Sequence, residues 1–220
     1  MMTAVYFWRI KWRFLPLAII YMAINKIQLK IIPGISFIKL LGTGKGESFT
    51  PKDADPTRWG ILVTIDENQI SNLDKSFVIQ CWRKICKEEY RVILKAISSH
   101  GYWSRKQPFS VDKFDWNGKI AAVTRARIVW RKNFIFWKAV PPVTESLHQS
   151  PGLLNAIGIG EAPIGLQGTF SVWEDAESLR NFAYKGEAHS EAIKATSAQQ
   201  WYSEELFARF AVIDERGVLT

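Results

Sequence analysis

Residues 127–131 read RIVWR, and residues 9–13 read RIKWR. Laid over itself with a shift of 118 (127 minus 9), the chain also pairs Pro33-Gly34 with Pro151-Gly152 and Gly42 with Gly160. Two matched Trp-Arg pairs and two matched Pro-Gly pairs in one register make an internal duplication, so the chain is read as two copies of one unit before any element is assigned. Further on, GILVTIDE at 60–67 stands against GTFSVWED at 168–175, and the shift has dropped to 108 (168 minus 60). The first copy thus carries extra residues at 46–58, which belong in a surface loop, where insertions cost little.

Each copy shows the same order of elements. Strand-like runs at 5–10 and 120–128 lead into helical sequence at 14–26 and 133–148, and Pro-Gly turns the chain into second strands at 35–41 and 153–159. Third strands at 61–65 and 169–173 precede helical sequence at 71–87 and 176–205, and fourth strands follow at 90–97 and 207–213. The order β-α-β-β-α-β is the ferredoxin-like unit. The expected fold class is therefore α+β, with ferredoxin-like units at 1–103 and 119–220 and a linker at 104–118. Two such sheets packed together build within one chain the α+β barrel that a single unit builds by dimerising.

The copies differ where a site is expected. In the second, Asp175 suits the N-cap of a helix from Ala176, with Leu179, Phe182 and Ala183 on its inner stripe. Beyond Gly186, His189, Ala192, Ile193 and Thr196 fall at 0, 3, 4 and 7 along one face, so the imidazole points where the apolar side chains point. The first copy has Cys81 and Trp82 there instead. One half then keeps a site while the other is scaffold, although a histidine at a helix start can equally face only water.

Of 220 residues, 47% are hydrophobic, enough for a packed core. Cys81 and Cys86 match neither a CxxC pair nor a zinc knuckle and read as reduced thiols in a cytoplasmic protein. The longest apolar run, 14–24, falls short of the roughly 20 residues needed to cross a bilayer. Lys26 and Lys30 follow it without a small-residue cleavage site, so it reads as the first helix of the fold rather than a signal peptide. Residues before 119 hold 18 basic and 10 acidic side chains, those from 119 hold 11 of each, and no acid precedes Glu47, so the net charge of +8 sits in the first half of the chain. Such a surface suits an acidic partner or simply keeps the chain soluble. The acid-free start, with Trp8, Arg9, Trp12 and Arg13, suits peripheral contact with a membrane, at its inner face for a cytoplasmic chain.

Several classes lose support. RNA-recognition modules share the element order, but their basic-Gly-aromatic-Gly-aromatic-Val strand is missing, so no nucleic acid is expected. The run GIGEAPIGLQG leads into a strand and is not a nucleotide loop. Neither HExxH nor GxSxG occurs, which leaves zinc hydrolysis and serine hydrolysis without a basis.

The motifs PGISFIKLLGTG, FTPKDADPTRW, VTRARIVW, FWKAVPPV, GIGEAPIGLQGTFSVWED and WYSEELFARFAV resemble the spheroidene monooxygenase family from about Phe7 to Gly217. The resemblance implies a barrel oxygenase that binds haem b, takes electrons from reduced ferredoxin and uses O2 to oxidise an acyclic carotenoid at C2, to a hydroxy and then a keto product. Carried over onto FAYKGEAH, it makes His189 the axial ligand of the iron, with Trp173, Phe182 and Ile193 beside it. Haem iron needs such a donor next to an apolar slot. Arg125, Arg127 and Arg209 are candidate catalytic residues: an arginine facing the site would meet a propionate or an oxygen ligand, and otherwise points outward or pairs with Glu204 and Glu205. Phe136, Trp137 and Tyr184 are candidates to line a channel for the polyene. A cofactor-free barrel oxygenase and a non-catalytic binder of apolar ligands remain alternatives, and only the haem reading demands a Soret band.

Overall fold

The structure, a computed structural model, describes residues 1–44, 53–129, 131, 144–162, 166–185 and 202–219. Its eight strands are β1 (Met2–Ile10), β2 (Ile35–Gly44), β3 (Ala54–Ile65), β4 (Cys86–Gly101), β5 (Ile120–Ile128), β6 (Leu153–Gly160), β7 (Leu166–Trp173) and β8 (Tyr202–Arg216). They close into one antiparallel barrel in the order β1-β3-β2-β6-β7-β5-β8-β4. Its two halves are β4-β1-β3-β2 and β8-β5-β7-β6, the ferredoxin-like order twice, with β2 beside β6 and β4 beside β8. The halves join edge to edge at two unequal seams. β4 and β8 pair from Arg91↔Arg216 to Gly101↔Leu206, whereas β2 and β6 share only Gly42↔Gly160, Thr43↔Ile159 and Gly44↔Gly158.

The duplication holds at the level of register. Tyr6 pairs with Ile61 and Thr124 with Thr169; Leu40 pairs with Ile61 and Gly158 with Thr169. Bulges recur at Ile35/Phe37 and Leu153/Asn155, and at Arg9/Ile10 and Arg127/Ile128. Gly34 and Gly152 share a φ of +78°, a left-handed conformation that favours glycine. Each accepts a backbone hydrogen bond from the start of the loop after the third strand, Asp66 N–H at 3.0 Å and Glu174 N–H at 2.8 Å.

Helices α1 (Leu15–Leu29), α2 (Ile70–Lys75) and α3 (Phe77–Ile85) cover the outside of the first sheet, and α4 (Ala176–Lys185) packs on the second. As expected, Asp175 caps α4, accepting from Ser178 N–H at 2.7 Å. The single helix expected over 71–87 is instead two. Ser76 takes an extended backbone and its hydroxyl caps the second helix at Ile79 N–H, 3.4 Å away. The fourth strands are longer than periodicity suggested: β4 begins at Cys86 and β8 at Tyr202, so 202–205 are strand rather than helix. There β1 pairs with the start of β4 and β5 with the start of β8, supplying hydrogen bonds to sequence whose own pattern is weak. The extra loop of the first copy is likewise shorter than 46–58, because residues 54–58 belong to β3.

Side chains of both halves fill the interior. Phe7 meets Phe170 at 5.4 Å between ring centroids, and Phe109 and Trp103, from the segment between β4 and β5, enter the same core. A cavity beside Phe7, Arg9 and Arg58 has only about 10 Å³. Trp8 and Arg9 do not belong to the exposed amino-terminal surface expected of them. Trp8 is fully buried, and Arg9 pairs with Asp55 at 3.1 Å and Glu88 at 3.4 Å. Both belong to a strand paired on both sides, which hides one and anchors the other. Cys81 and Cys86 are free, as expected.

Candidate functional site

Between its bulges the residues of the second sheet alternate, so each side chain's face there follows from its number. Val123 and Phe170 point into the barrel. Thr124, Ala126, Gln167, Thr169, Ser171, Ala156 and Gly158 therefore point outward, on the three adjacent strands β5, β7 and β6. This floor spans roughly 10 Å by 13 Å from strand dimensions. Apart from Gln167, no side chain on it extends past Cγ.

The same positions in the first sheet carry bulk. By the shared register, Tyr6 and Trp8 stand for Thr124 and Ala126, Ile38 and Leu40 for Ala156 and Gly158, and Ile61 and Val63 for Thr169 and Ser171. Trp8 stacks on Trp82 at 5.2 Å and on Tyr6 at 5.4 Å, filling the space beneath α1 and α3. At the edge of the second floor, Trp173 stacks on Phe182 of α4 at 5.3 Å, and with Leu179, Ile120 and Leu147 forms a small apolar cluster. Two expected site residues, Trp173 and Phe182, are thus brought together where the floor begins.

His189, Ile193, Phe136 and Trp137 lie outside the described residues, as does the side chain of Tyr184. The three arginines separate. Arg209 takes the outer face of β8 next to the floor, level with Ala122, is exposed, and donates to Ser98 Oγ at 3.0 Å. Arg127 takes the interior side of β5 at an exposed mouth. Arg125 points into the barrel, 2% exposed, at the position where the first copy has Phe7.

Arg125 is answered within the chain. It pairs with Glu204 and, at 3.3 Å, with Glu161; Glu161 in turn accepts from Lys39 and, at 2.6 Å, from Trp103 Nε1. Glu204 also accepts from Ser104 N–H at 2.9 Å and Arg105 N–H at 2.7 Å, two residues held at positive φ that turn both amides toward it. Burial works to raise the Glu161 carboxyl, but hydrogen bonds from Lys39 and Trp103 and the two cations outweigh it and hold it below the usual carboxylate range. Burial likewise pushes the Lys39 ammonium down, against the pull of Glu161. Two cations and two carboxylates close this mouth of the barrel, so Arg125 meets carboxylates rather than a propionate.

The floor is level because its side chains are small; Trp173 and Phe182 stand at one side of it, and Arg209 is exposed on the neighbouring strand. The floor was legible in the sequence. Reading the copies against each other, Tyr-Phe-Trp at 6–8 against Thr-Arg-Ala at 124–126 shows both the lost bulk and the interior arginine. Among the described residues no group of three or more His, Cys, Asp or Glu side chains is arranged to hold a bare metal ion.

Fold and register define a duplicated ferredoxin-like α+β barrel with one outer face cleared of bulk. Two crystal structures of aldoxime dehydratase share the fold, one with a TM-score of 0.60 at 10% identity over 97% of this chain and 81% of that one. The other, in complex with butyraldoxime, has a TM-score of 0.59 at 11% identity over 97% of this chain and 79% of that one. No protein-family model matches the chain. Spheroidene monooxygenase of Rhodobacter capsulatus is 33% identical over 92% of this chain and 86% of its own length, and that of Rubrivivax gelatinosus 32% over 84% and 72%. The enzyme of Cereibacter sphaeroides is 36% identical over 89% of this chain, which spans 61% of that relative's length. The chain belongs to the spheroidene monooxygenase family, a family of oxidoreductases.

Proposed function

We propose that the chain is a monooxygenase that oxidises an acyclic carotenoid of the spheroidene type at C2, to a hydroxy and then a keto product, with O2 and electrons from reduced ferredoxin. The observation that carries this reading is the floor at Thr124, Ala126, Ala156, Gly158, Thr169 and Ser171, which a flat cofactor can use and the first half cannot offer. Haem b would supply the oxygen chemistry when bound, and His189 would hold its iron. The chain's own residues do the rest. Trp173, Phe182 and Ile193 exclude water from the slot, Arg209 meets an anionic group at its rim, and Phe136, Trp137 and Tyr184 orient the polyene so that one carbon is reached. Because such a substrate dissolves in lipid, the chain works from the cytoplasm against the inner face of a membrane.

The test is the visible spectrum of protein expressed with haem supply. A Soret band is expected. His189→Ala should fold, since alanine is well tolerated in sequence of helical pattern, yet lose or shift the band and all carotenoid oxidation. His100→Ala and His148→Ala, both at exposed positions, should leave it unchanged. A His189→Ala protein with the parent spectrum and activity would overturn the ligand. A colourless protein that still oxidises carotenoid would favour the cofactor-free oxygenase, and a colourless inactive one the apolar-ligand binder.

A further inference from the structure

Helix α1 is apolar on both of its faces. Packing fixes the inner one: Ala18, Asn25 and Leu29 are buried, and Trp82 Nε1 donates to Asn25 Oδ1 at 2.8 Å. The opposite face therefore cannot turn inward. On it Ile20, Ile24 and Ile27 are 53%, 40% and 67% exposed, and Trp12 before the helix and Ile31 after it continue the row at 65% and 78%. A surface helix ordinarily shows polar side chains there, and a continuous exposed apolar row marks a contact face. Lys11 and Arg13 flank one end of the row and Lys26 and Lys30 the other, all exposed. No acidic residue precedes Glu47.

We propose that this face of α1, from Trp12 to Ile31, docks the chain on an anionic lipid surface with the helix lying in the plane of the interface. The isoleucines enter the boundary between headgroups and acyl chains, the tryptophan sits at headgroup level, and the four cations meet lipid phosphates. Among the described residues no helix is long and apolar enough to cross a membrane, and in-plane docking requires none. Charge argues against a second copy as the occupant, because two-fold antiparallel pairing of α1 sets Lys26 and Lys30 against Lys11 and Arg13 of the partner. The inference names a surface for the membrane contact proposed above, but it stands on α1 alone and its test reads no activity.

Co-sedimentation of the full chain with vesicles of phosphatidylcholine, alone or with about a third of phosphatidylglycerol, measures the contact. Binding to the anionic vesicles is expected, weakening as salt rises. Ile20→Asp combined with Ile27→Asp changes only exposed positions, so the melting temperature should hold while vesicle partitioning falls roughly tenfold or more. Lys26→Glu with Lys30→Glu should weaken binding and flatten its salt dependence. Parent protein that stays in the supernatant with anionic vesicles would overturn the proposal, as would an isoleucine variant that binds like the parent. So would a dimer on gel filtration that this variant splits while vesicles bind neither form, since the face would then belong to a second copy.

Discussion

The outer faces of the two sheets share a backbone and differ in their side chains. Tyr6, Trp8, Ile38, Leu40, Ile61 and Val63 make the first a bulky surface that three helices seal; Thr124, Ala126, Ala156, Gly158, Thr169 and Ser171 make the second a shallow floor with one small apolar cluster at its edge. The hydrogen-bond ladder keeps the strands in register in either case, so one frame carries bulky side chains on one outer face and small ones on the other. Duplication makes that division possible, because a dimer of identical units would have to carry the same face twice.

Exchanging bulk between the faces tests the comparison most severely. Trp8→Ala empties a fully buried site between two stacked rings and should cost about 3–5 kcal/mol in chemical denaturation. Ala126→Trp puts the same ring on the second floor, where it should abolish the Soret band and carotenoid oxidation with far less loss of stability. If the two exchanges destabilised the protein equally and the second left the spectrum intact, the floor would be ordinary core.

The barrel mouth supplies the next comparison. Arg125 occupies the place of Phe7 and neutralises Glu161 and Glu204. Arg125→Ala strands both carboxylates, and about 3 kcal/mol should be lost, the lower end for a buried pair because both acids keep some exposure. A loss below 1 kcal/mol would mean that water already screens the cluster.

The smallest effect is a pH dependence. Glu161 titrates below an ordinary glutamate, so the folded state holds fewer protons than the unfolded one as acid is added. Its contribution is complete above the unfolded value and is lost as pH falls through the lower folded one. Glu161→Gln should therefore flatten the acid limb of stability against pH, measured by denaturation at a series of pH values. An unchanged slope would show that other carboxylates set it.

The sequence by itself determined the duplication, the ferredoxin-like order and the equivalent Pro-Gly turns, because these rest on local rules: periodicity, turn chemistry and repeated residues at fixed spacing. It also held the loss of bulk at Thr124 and Ala126, legible once the copies are aligned. Tertiary structure decided the rest. Strand ends at Cys86 and Tyr202 depend on hydrogen bonds from β1 and β5 respectively, which no local pattern contains. That Trp8 is buried while Trp12 is exposed follows from which face of the chain the barrel presents to α3. The ion cluster joins Lys39, Trp103, Arg125, Glu161 and Glu204, residues as much as 165 positions apart (204 minus 39). Only closure of the barrel brings charges so distant in sequence within hydrogen-bonding reach, and only their mutual neutralisation lets them stay inside.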